Sequence, residues 1–386
     1  MAGLYVHIPF CKSRCIYCGF YSTTHVELRQ RYVDALVAEM CWHRGNAQGA
    51  VAAAVGRTSA TEPVTTVYLG GGTPSQLTFS QLEQLFTAID SHFDCQWAGA
   101  EVTVECNPDD VSDELARLLP TLRVNRVSMG VQTFSDARLR FLGRRHTAAQ
   151  VHMAVDRLRE AGIANISVDL MYGFPGECLE DWQHDIDRVL SLEAEHLSAY
   201  ALSYEEGTPL FSLWQKSPGR YGPASDELQS MMYDVLVDRL AAAGYEHYEI
   251  SNFAKPGHRS RHNSSYWTGV HYTGLGASAH SYDGHYRQWN VSDLKQYMLG
   301  QEQGQPLIER ELIDTTTRYN ETVMLSLRTR EGLRLDLLDD EKRRYCETHA
   351  QRFVDNGLLA HSQKRLIITR RGLFVSDMII SELMMV

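Results

Sequence analysis

Cys11, Cys15 and Cys18 stand four and three residues apart in the run CKSRCIYC, directly after a predicted strand at 4–8. Cysteine thiolates are the natural ligands of iron–sulfur clusters, and a loop with this spacing can wrap three of them around one face of such a cluster. Three protein ligands leave one iron of a four-iron cube open to an exogenous chelator. Zinc is the rival metal, but a structural zinc site wants four closed ligands, and no second Cys/His pair has finger-like spacing. Three incidental core cysteines are the plainest alternative. The remaining cysteines, Cys41, Cys95, Cys106, Cys178 and Cys346, are scattered without ligand spacing and read as small buried hydrophobes.

Other chemistry-bearing residues recur at the ends of predicted strands. GGGTPS at 70–75 closes a strand at 64–69; glycines there let backbone approach a ligand and supply N–H donors, although a Gly run alone is equally a turn. Glu105 ends the next strand, where a carboxylate can accept from the vicinal hydroxyls of a ribose or simply be solvated. Gln132, Arg144 and Asp169 follow at the mouths of later units. Taken singly, each reads as structural.

The elements that must position these groups alternate. Strands are predicted at 4–8, 64–69, 101–105, 126–131, 165–170 and 196–201, and helices near 27–43, 78–92, 112–119, 147–161 and 179–192. Thr78 with Gln81 and Thr147 with Gln150 form capping-box patterns. Val151, Ala154, Val155 and Leu158 recur at helical spacing. Repeated strand–helix units predict an α/β fold with a parallel sheet, curled by right-handed crossovers into a barrel or part of one. Residues 46–62, rich in Ala, Gly, Ser and Thr, read as an exposed insertion. Residues 204–224 carry three prolines and three glycines and read as a loop leaving the barrel. A helix at about 225–243 and an irregular segment to about 290 follow. Helices near 315–328 and 340–356, two short strands around a turn and a last helix then suggest a winged-helix-like module.

Composition narrows the class. At 386 residues a core of useful size is affordable, and 44% apolar with 22% charged residues excludes disorder as the main state. The net charge of −11 and the acidic, apolar last helix argue against nucleic acid as the partner. No run of 18 apolar residues predicts a membrane span, and MAGLYVHIPF lacks the basic and apolar regions of a signal peptide. Cytoplasm is the simplest expected location.

The CxxxCxxC loop in a chain of βα units resembles the radical S-adenosyl-L-methionine (SAM) superfamily. YVHIPFC at 5–11, GGGTPS at 70–75, SMGVQTF at 128–134 and VDLMYGFPG at 168–176 are similar to two related groups, the oxygen-independent coproporphyrinogen III oxidases and the HemW-type heme chaperones. The similarity runs across nearly the whole chain. It implies a partial (β/α)6-type barrel with a 4Fe-4S cluster at its mouth, held by Cys11, Cys15 and Cys18, with SAM chelating the open iron and reductive SAM cleavage as available chemistry. Gly71, Gly72 and Thr73 match the SAM-binding glycine motif, with Glu105 on the ribose. Tyr5, Tyr17, Gln132, Arg144, Asp169 and Ser203 fall where the oxidase contacts one of two SAM molecules, although Ser203 departs from the small apolar residue of that pattern.

Two departures separate the groups. Phe20 stands where the oxidase carries a further cysteine, and the cluster loop begins at residue 11 without the oxidase's long N-terminal extension. HNSSYW at 262–267 matches the HNxxYW pattern of HemW-type proteins, implicated there in heme binding. Imidazole is a standard axial ligand of heme iron, Tyr266 and Trp267 offer flat faces, and Arg259 and Arg261 suit propionates. His262 and Tyr266 are thus the candidate heme residues. His258, His271, His280 and His285 crowd the same region, so no single axial ligand is singled out. The resemblance implies a heme chaperone with three parts: a cluster-bearing barrel over 1–205, a barrel extension with the heme-binding segment over 206–300, and a winged-helix-like domain over 301–386. Its partners would be heme, an acceptor hemoprotein and an electron donor for the cluster. A homodimer, and peripheral membrane contact through the acceptor, are left open. The rival reading is oxidative decarboxylation of two coproporphyrinogen III propionates.

Overall fold

The structure, a computed structural model, describes residues 2–47 and 62–385. The predicted insertion at 46–62 falls almost wholly outside the described residues. All six predicted strands form. They are β1 (Ala2–Ile8), β2 (Val64–Gly71), β3 (Glu101–Cys106), β4 (Arg126–Gln132), β5 (Asn165–Tyr172) and β6 (His196–Ala201), paired in parallel in that order. Strands such as LYVHI and VTTVYL are buried on nearly every residue because both faces of a parallel sheet are covered.

The connecting helices are α1 (Arg29–Ala47), α2 (Phe79–His92), α3 (Asp113–Thr121), α4 (Asp136–Leu142), α5 (Ala148–Glu160) and α6 (Leu179–Leu190), and all but α4 lie where they were predicted. Thr78 caps α2 through its hydroxyl, and Gln81 returns a bond to the Thr78 amide at 2.9 Å. Gln150 does the same for the Thr147 amide at 2.8 Å. Helix α4 was not foreseen; it is too short to show a period, and Gly143 ends it in the left-handed region at φ 77°. One apolar core runs between helices and sheet, including Leu36, Leu85, Val155 and Ile186.

Beyond β6 two expectations need correction. The 204–224 stretch contains a helix, α7 (Pro209–Lys216), not only a loop. Proline is well tolerated in a first turn, Thr208 caps the helix, and Leu210 is fully buried beneath it. The irregular region after helix α8 (Asp226–Ala242) contains five short strands: β7 (Glu246–Glu249), β8 (Asn252–Ala254), β9 (Tyr272–Leu275), β10 (His280–Tyr282) and β11 (Tyr286–Asn290), with helix α9 (Arg261–Trp267). Strand β9 adds in parallel to β1, and β8 adds antiparallel to β6, so the sheet stays open at both ends. These strands are too short and too rich in His and Tyr to show a period of two.

The last part has its own small sheet and its own core. Helices α10 (Thr315–Leu327), α11 (Asp340–Asp355) and α12 (Ser376–Leu383) pack with a three-stranded sheet whose hairpin is Leu359–Ser362 and Arg365–Ile368. Val323, Leu327, Cys346, Phe353, Leu366 and Ile379 form an apolar cluster separate from the barrel core.

Candidate functional site

The cysteine loop leaves β1 and is tied at several points. The Cys11 amide donates to Thr23 O at 2.9 Å and the Thr23 amide to Pro9 O at 2.7 Å. Further on, the Ile16 amide donates to Leu142 O at 3.0 Å, and the Leu210 amide donates to Ile16 O at 2.9 Å. Ile16 and Tyr17 pack on an apolar cluster of Leu142, Met171, Phe174, Leu202 and Leu210. Helices α4 and α7 therefore clamp the loop, and the three thiols line one cavity of about 1140 Å3.

The donor set fits an iron–sulfur cluster. All three cysteines are free and half-buried. Burial, aided by the neighbouring thiols, pushes Cys11 and Cys18 above the usual thiol range. Arg144 brings a positive charge beside the loop: its guanidinium lies 3.7 Å from Cys15 Sγ, donates to Asn107 Oδ1 at 2.8 Å and also reaches Gly130 O. Thr73 Oγ1 lies 3.6 Å from Cys11 Sγ. Among the described residues, no three His, Cys, Asp or Glu side chains converge on a single-ion site.

The three cysteines and the residues matched to SAM contacts all line this same cavity, from Tyr5 and Tyr17 through Ser203, and so do His262 and Tyr266 of the candidate heme segment. Strand β4 contributes Arg126, Ser128, Gly130 and Gln132, alternate residues that mark its inner face, so the cavity runs the length of the strand. Gln132 sits at its mouth with φ 68°, beside a register shift; bulges and left-handed non-glycine residues gather at functional sites. Glu105 accepts from the Tyr68 hydroxyl at 2.7 Å and from the Gly71 amide at 3.1 Å, and burial lifts it to about 7. Burial lifts Asp169 to about 6. Ser203 donates to Glu205 at 3.3 Å.

Three expectations change. The Gly71 and Gly72 amides are not free donors, since Glu105 takes the first and Ile8 O the second at 2.8 Å. Glycine is required there for space: Gly71 has φ 113°, and a Cβ on Gly72 would stand 2.7 Å from Pro9 backbone. His262 is not in a loop but on α9, only 1% exposed, with Thr66 Oγ1 and Tyr266 Oη each 2.8 Å from its ring nitrogens. It stacks on Tyr68 with centroids 5.0 Å apart, and burial lowers it to about 3, so the ring is neutral. Finally, Arg259, Arg261 and Trp267 face elsewhere: Arg259 bonds Glu246 at 3.1 Å and Glu331 at 2.8 Å, Arg261 bonds Gly99 O at 2.6 Å, and Trp267 packs near Tyr248.

The sequence reading missed Arg126. It is 1% exposed at the foot of β4, and its Nε and Nη1 have no hydrogen-bond partner. A guanidinium so placed draws anionic groups into the barrel. The available signal was its spacing of two, four and six residues from Ser128, Gly130 and Gln132.

Comparison with known proteins places the chain. The radical SAM superfamily model matches residues 5–189, and the HemN C-terminal domain model matches residues 313–375. The heme chaperone HemW of Bacillus subtilis (strain 168) is 35% identical over 386 residues, covering 96% of each chain. The heme chaperone HemW of Lactococcus lactis is 33% identical, covering 95% of this chain and 93% of that one. The chain belongs to the HemW family. A solved structure of coproporphyrinogen III oxidase (HemN) from Escherichia coli shares the fold at a TM-score of 0.82, with 23% identity over 99% of this chain and 89% of that one. Within this HemW-family chain, the cysteine loop, the glycine turn, Glu105 and Asp169 lie inside the superfamily match, whereas Ser203, His262 and Tyr266 lie between the two matched stretches. No helix among the described residues is long and apolar enough to cross a membrane.

Proposed function

We propose that this protein is a heme chaperone on a radical SAM scaffold, binding heme and passing it to an acceptor hemoprotein. The observation that carries the reading is the 35% identity to a HemW heme chaperone over 96% of both chains. A cavity with three cysteines at its mouth supports it.

In this reading Cys11, Cys15 and Cys18 hold a 4Fe-4S cluster, and SAM takes the open iron. When bound, the pair supplies one-electron chemistry from an outside electron donor. The chain's own residues orient SAM. Arg144 stands beside Cys15, where a carboxylate is welcome, and Glu105 faces the glycine turn, where ribose hydroxyls can donate to it. Tyr5, Tyr17, Thr73, Gln132, Asp169 and Ser203 complete the wall, and His262 keeps Tyr266 in it. The division proposed is a barrel over 1–205, an extension over 206–300 and a C-terminal module over 301–386. Cytoplasmic location, with contact to membranes only through an acceptor, completes the reading.

The test is anaerobic. Protein with a reconstituted cluster is titrated with heme, and in parallel given SAM, reductant and coproporphyrinogen III. Stoichiometric appearance of a protein-bound Soret band, without protoporphyrinogen, is expected. Protoporphyrinogen formation without heme binding would replace the chaperone by an oxidase.

A further inference from the structure

A second cavity of about 290 Å3 adjoins the first and shares Tyr5, Phe20 and Tyr266 with it. Aromatic rings dominate its wall, with Tyr21 and Tyr272 beside the shared three. Phe20 is 73% exposed, an apolar ring left in solvent two residues beyond the last cysteine of the loop.

The histidines around the two cavities are not equivalent. His7 uses both ring nitrogens, 3.0 Å from Tyr5 Oη and 3.1 Å from Tyr21 O. His262 uses both on Thr66 and Tyr266. His146 is buried with Nε2 3.1 Å from Val131 O. His280 is exposed at the start of β10 and lines the second cavity, and neither of its ring nitrogens hydrogen-bonds a described residue. Burial, then the Arg287 charge, lower its pKa, which favours the neutral imidazole that metals take as a ligand.

The backbone beneath His280 is held firmly. The turn between β9 and β10 takes two left-handed residues, Gly276 at φ 102° and Ser278 at φ 65°. Glu39, buried on α1, accepts from the Gly276 amide at 2.8 Å, from Tyr297 at 2.7 Å and from Asn290 at 2.6 Å. The Tyr32 hydroxyl accepts from the Ala277 amide at 3.0 Å. Trp289 then stacks on the His280 ring, centroids 5.6 Å apart and planes 28° apart. A strained turn clamped by a buried carboxylate, and a ring fixed by stacking, are what a preorganised ligand side chain needs.

We propose that this annex is the heme seat, with His280 as the axial ligand of the iron and Phe20, Tyr21 and Tyr272 as the walls on which the macrocycle packs. The assignment rests on the heme-carrier reading. Coordination donates the imidazole lone pair to iron and moves no proton from the neutral ring. The annex lies at the small end of the roughly 300–1,000 Å3 span of small-molecule sites. It therefore holds one edge of a porphyrin and leaves the rest open to an acceptor, as a carrier requires. His262 becomes a positioning residue that fixes Tyr266 in the wall between the two cavities.

The test uses full-length protein with its cluster reconstituted, titrated with ferric heme and followed by the Soret band and low-temperature electron paramagnetic resonance. His280→Ala is expected to bind heme at least about tenfold more weakly and to lose the imidazole-ligated spectrum. Added imidazole is expected to restore that spectrum. His285→Ala, exposed on the next turn, is expected to match the parent. A His280→Ala protein with parental spectrum and affinity overturns the assignment while leaving heme carriage standing. Weakened binding that imidazole does not restore overturns the axial role. A parent that binds no heme removes the carrier reading and this site together.

Discussion

Side chains around the cavity carry two opposite electrostatic problems. Three thiols crowd one loop with Arg144 beside Cys15, and replacing any one of Cys11, Cys15 or Cys18 by Ser is expected to lower iron and sulfide per chain to near background after anaerobic reconstitution. Retention of parental metal content in the triple variant would remove the cluster from the account. On the far side of β1, Glu39 is a carboxyl whose folded form prefers the proton, because burial lifts it to about 7 although three donors partly favour the charge. His43, 3.9 Å away and lowered to about 4 by burial, offers no positive charge at neutral pH, and Tyr32 and Tyr297 face the carboxyl as neutral hydroxyls. An unfolded glutamate titrates near about 4.3. Between that value and 7 the folded chain binds the extra proton, so this group's stabilisation is full at low pH and fades as pH rises through 7. Urea unfolding at pH 5 and pH 8 is expected to differ more for the parent than for Glu39→Gln, by at most about 3 kcal/mol. Glu105, Asp169 and Glu177 shift in the same direction, which is why the difference between the two proteins is the quantity to measure.

Elements decide whether those side chains meet. The cysteine loop has no regular structure of its own and takes its shape from α4 and α7, through backbone bonds to Leu142 and Leu210 and the apolar cluster under Ile16 and Tyr17. Leu210→Ala leaves every ligand in place but opens that cluster, where a buried leucine costs about 2–5 kcal/mol to truncate. Faster cluster loss under a chelator than in the parent is expected, and equal rates would show that the clamp is idle. These elements also mark where a sequence stops being readable. The barrel strands were legible because burial on both faces writes an apolar run, and the site words were legible because they end those runs. Helix α7 hid behind the prolines and glycines that flank it. The burial of His262 was hidden for a different reason: its partner Thr66 lies 196 positions away, and no local pattern announces such a bond. Arg126 shared the inner-face spacing of β4, but the missing partners that mark it out are a property of the folded barrel and no local pattern shows them.

At the scale of the molecule, barrel and C-terminal module have separate apolar cores, joined by exposed ion pairs such as Arg370 with Asp234 and Asp238, by Arg328 paired with the buried Glu249, by backbone bonds from Ile250 to Arg328 and from Arg330 to Tyr248, and by Leu373, which packs on both. The exposed pairs contribute little, so the apolar cores carry most of the stability of the two parts. Phe353→Ala, at a ring only 4% exposed, is expected to destabilise the module by about 3–5 kcal/mol while reconstituted iron stays at the parental level. A joint loss of both would make the two parts one cooperative unit. The annex is lined from β9 and β10 and by Phe20 of the cluster loop, and it shares Tyr5, Phe20 and Tyr266 with the main cavity, so heme in the proposed seat would share a wall with the cofactor site. The most direct test is therefore transfer. Heme-loaded protein is mixed anaerobically with the apo form of a b-type hemoprotein, and the Soret band is followed after separating the two. Movement of heme to the acceptor faster than from a non-specific carrier such as serum albumin is the expected result; heme that stays bound, or moves no faster than from albumin, would contradict the account.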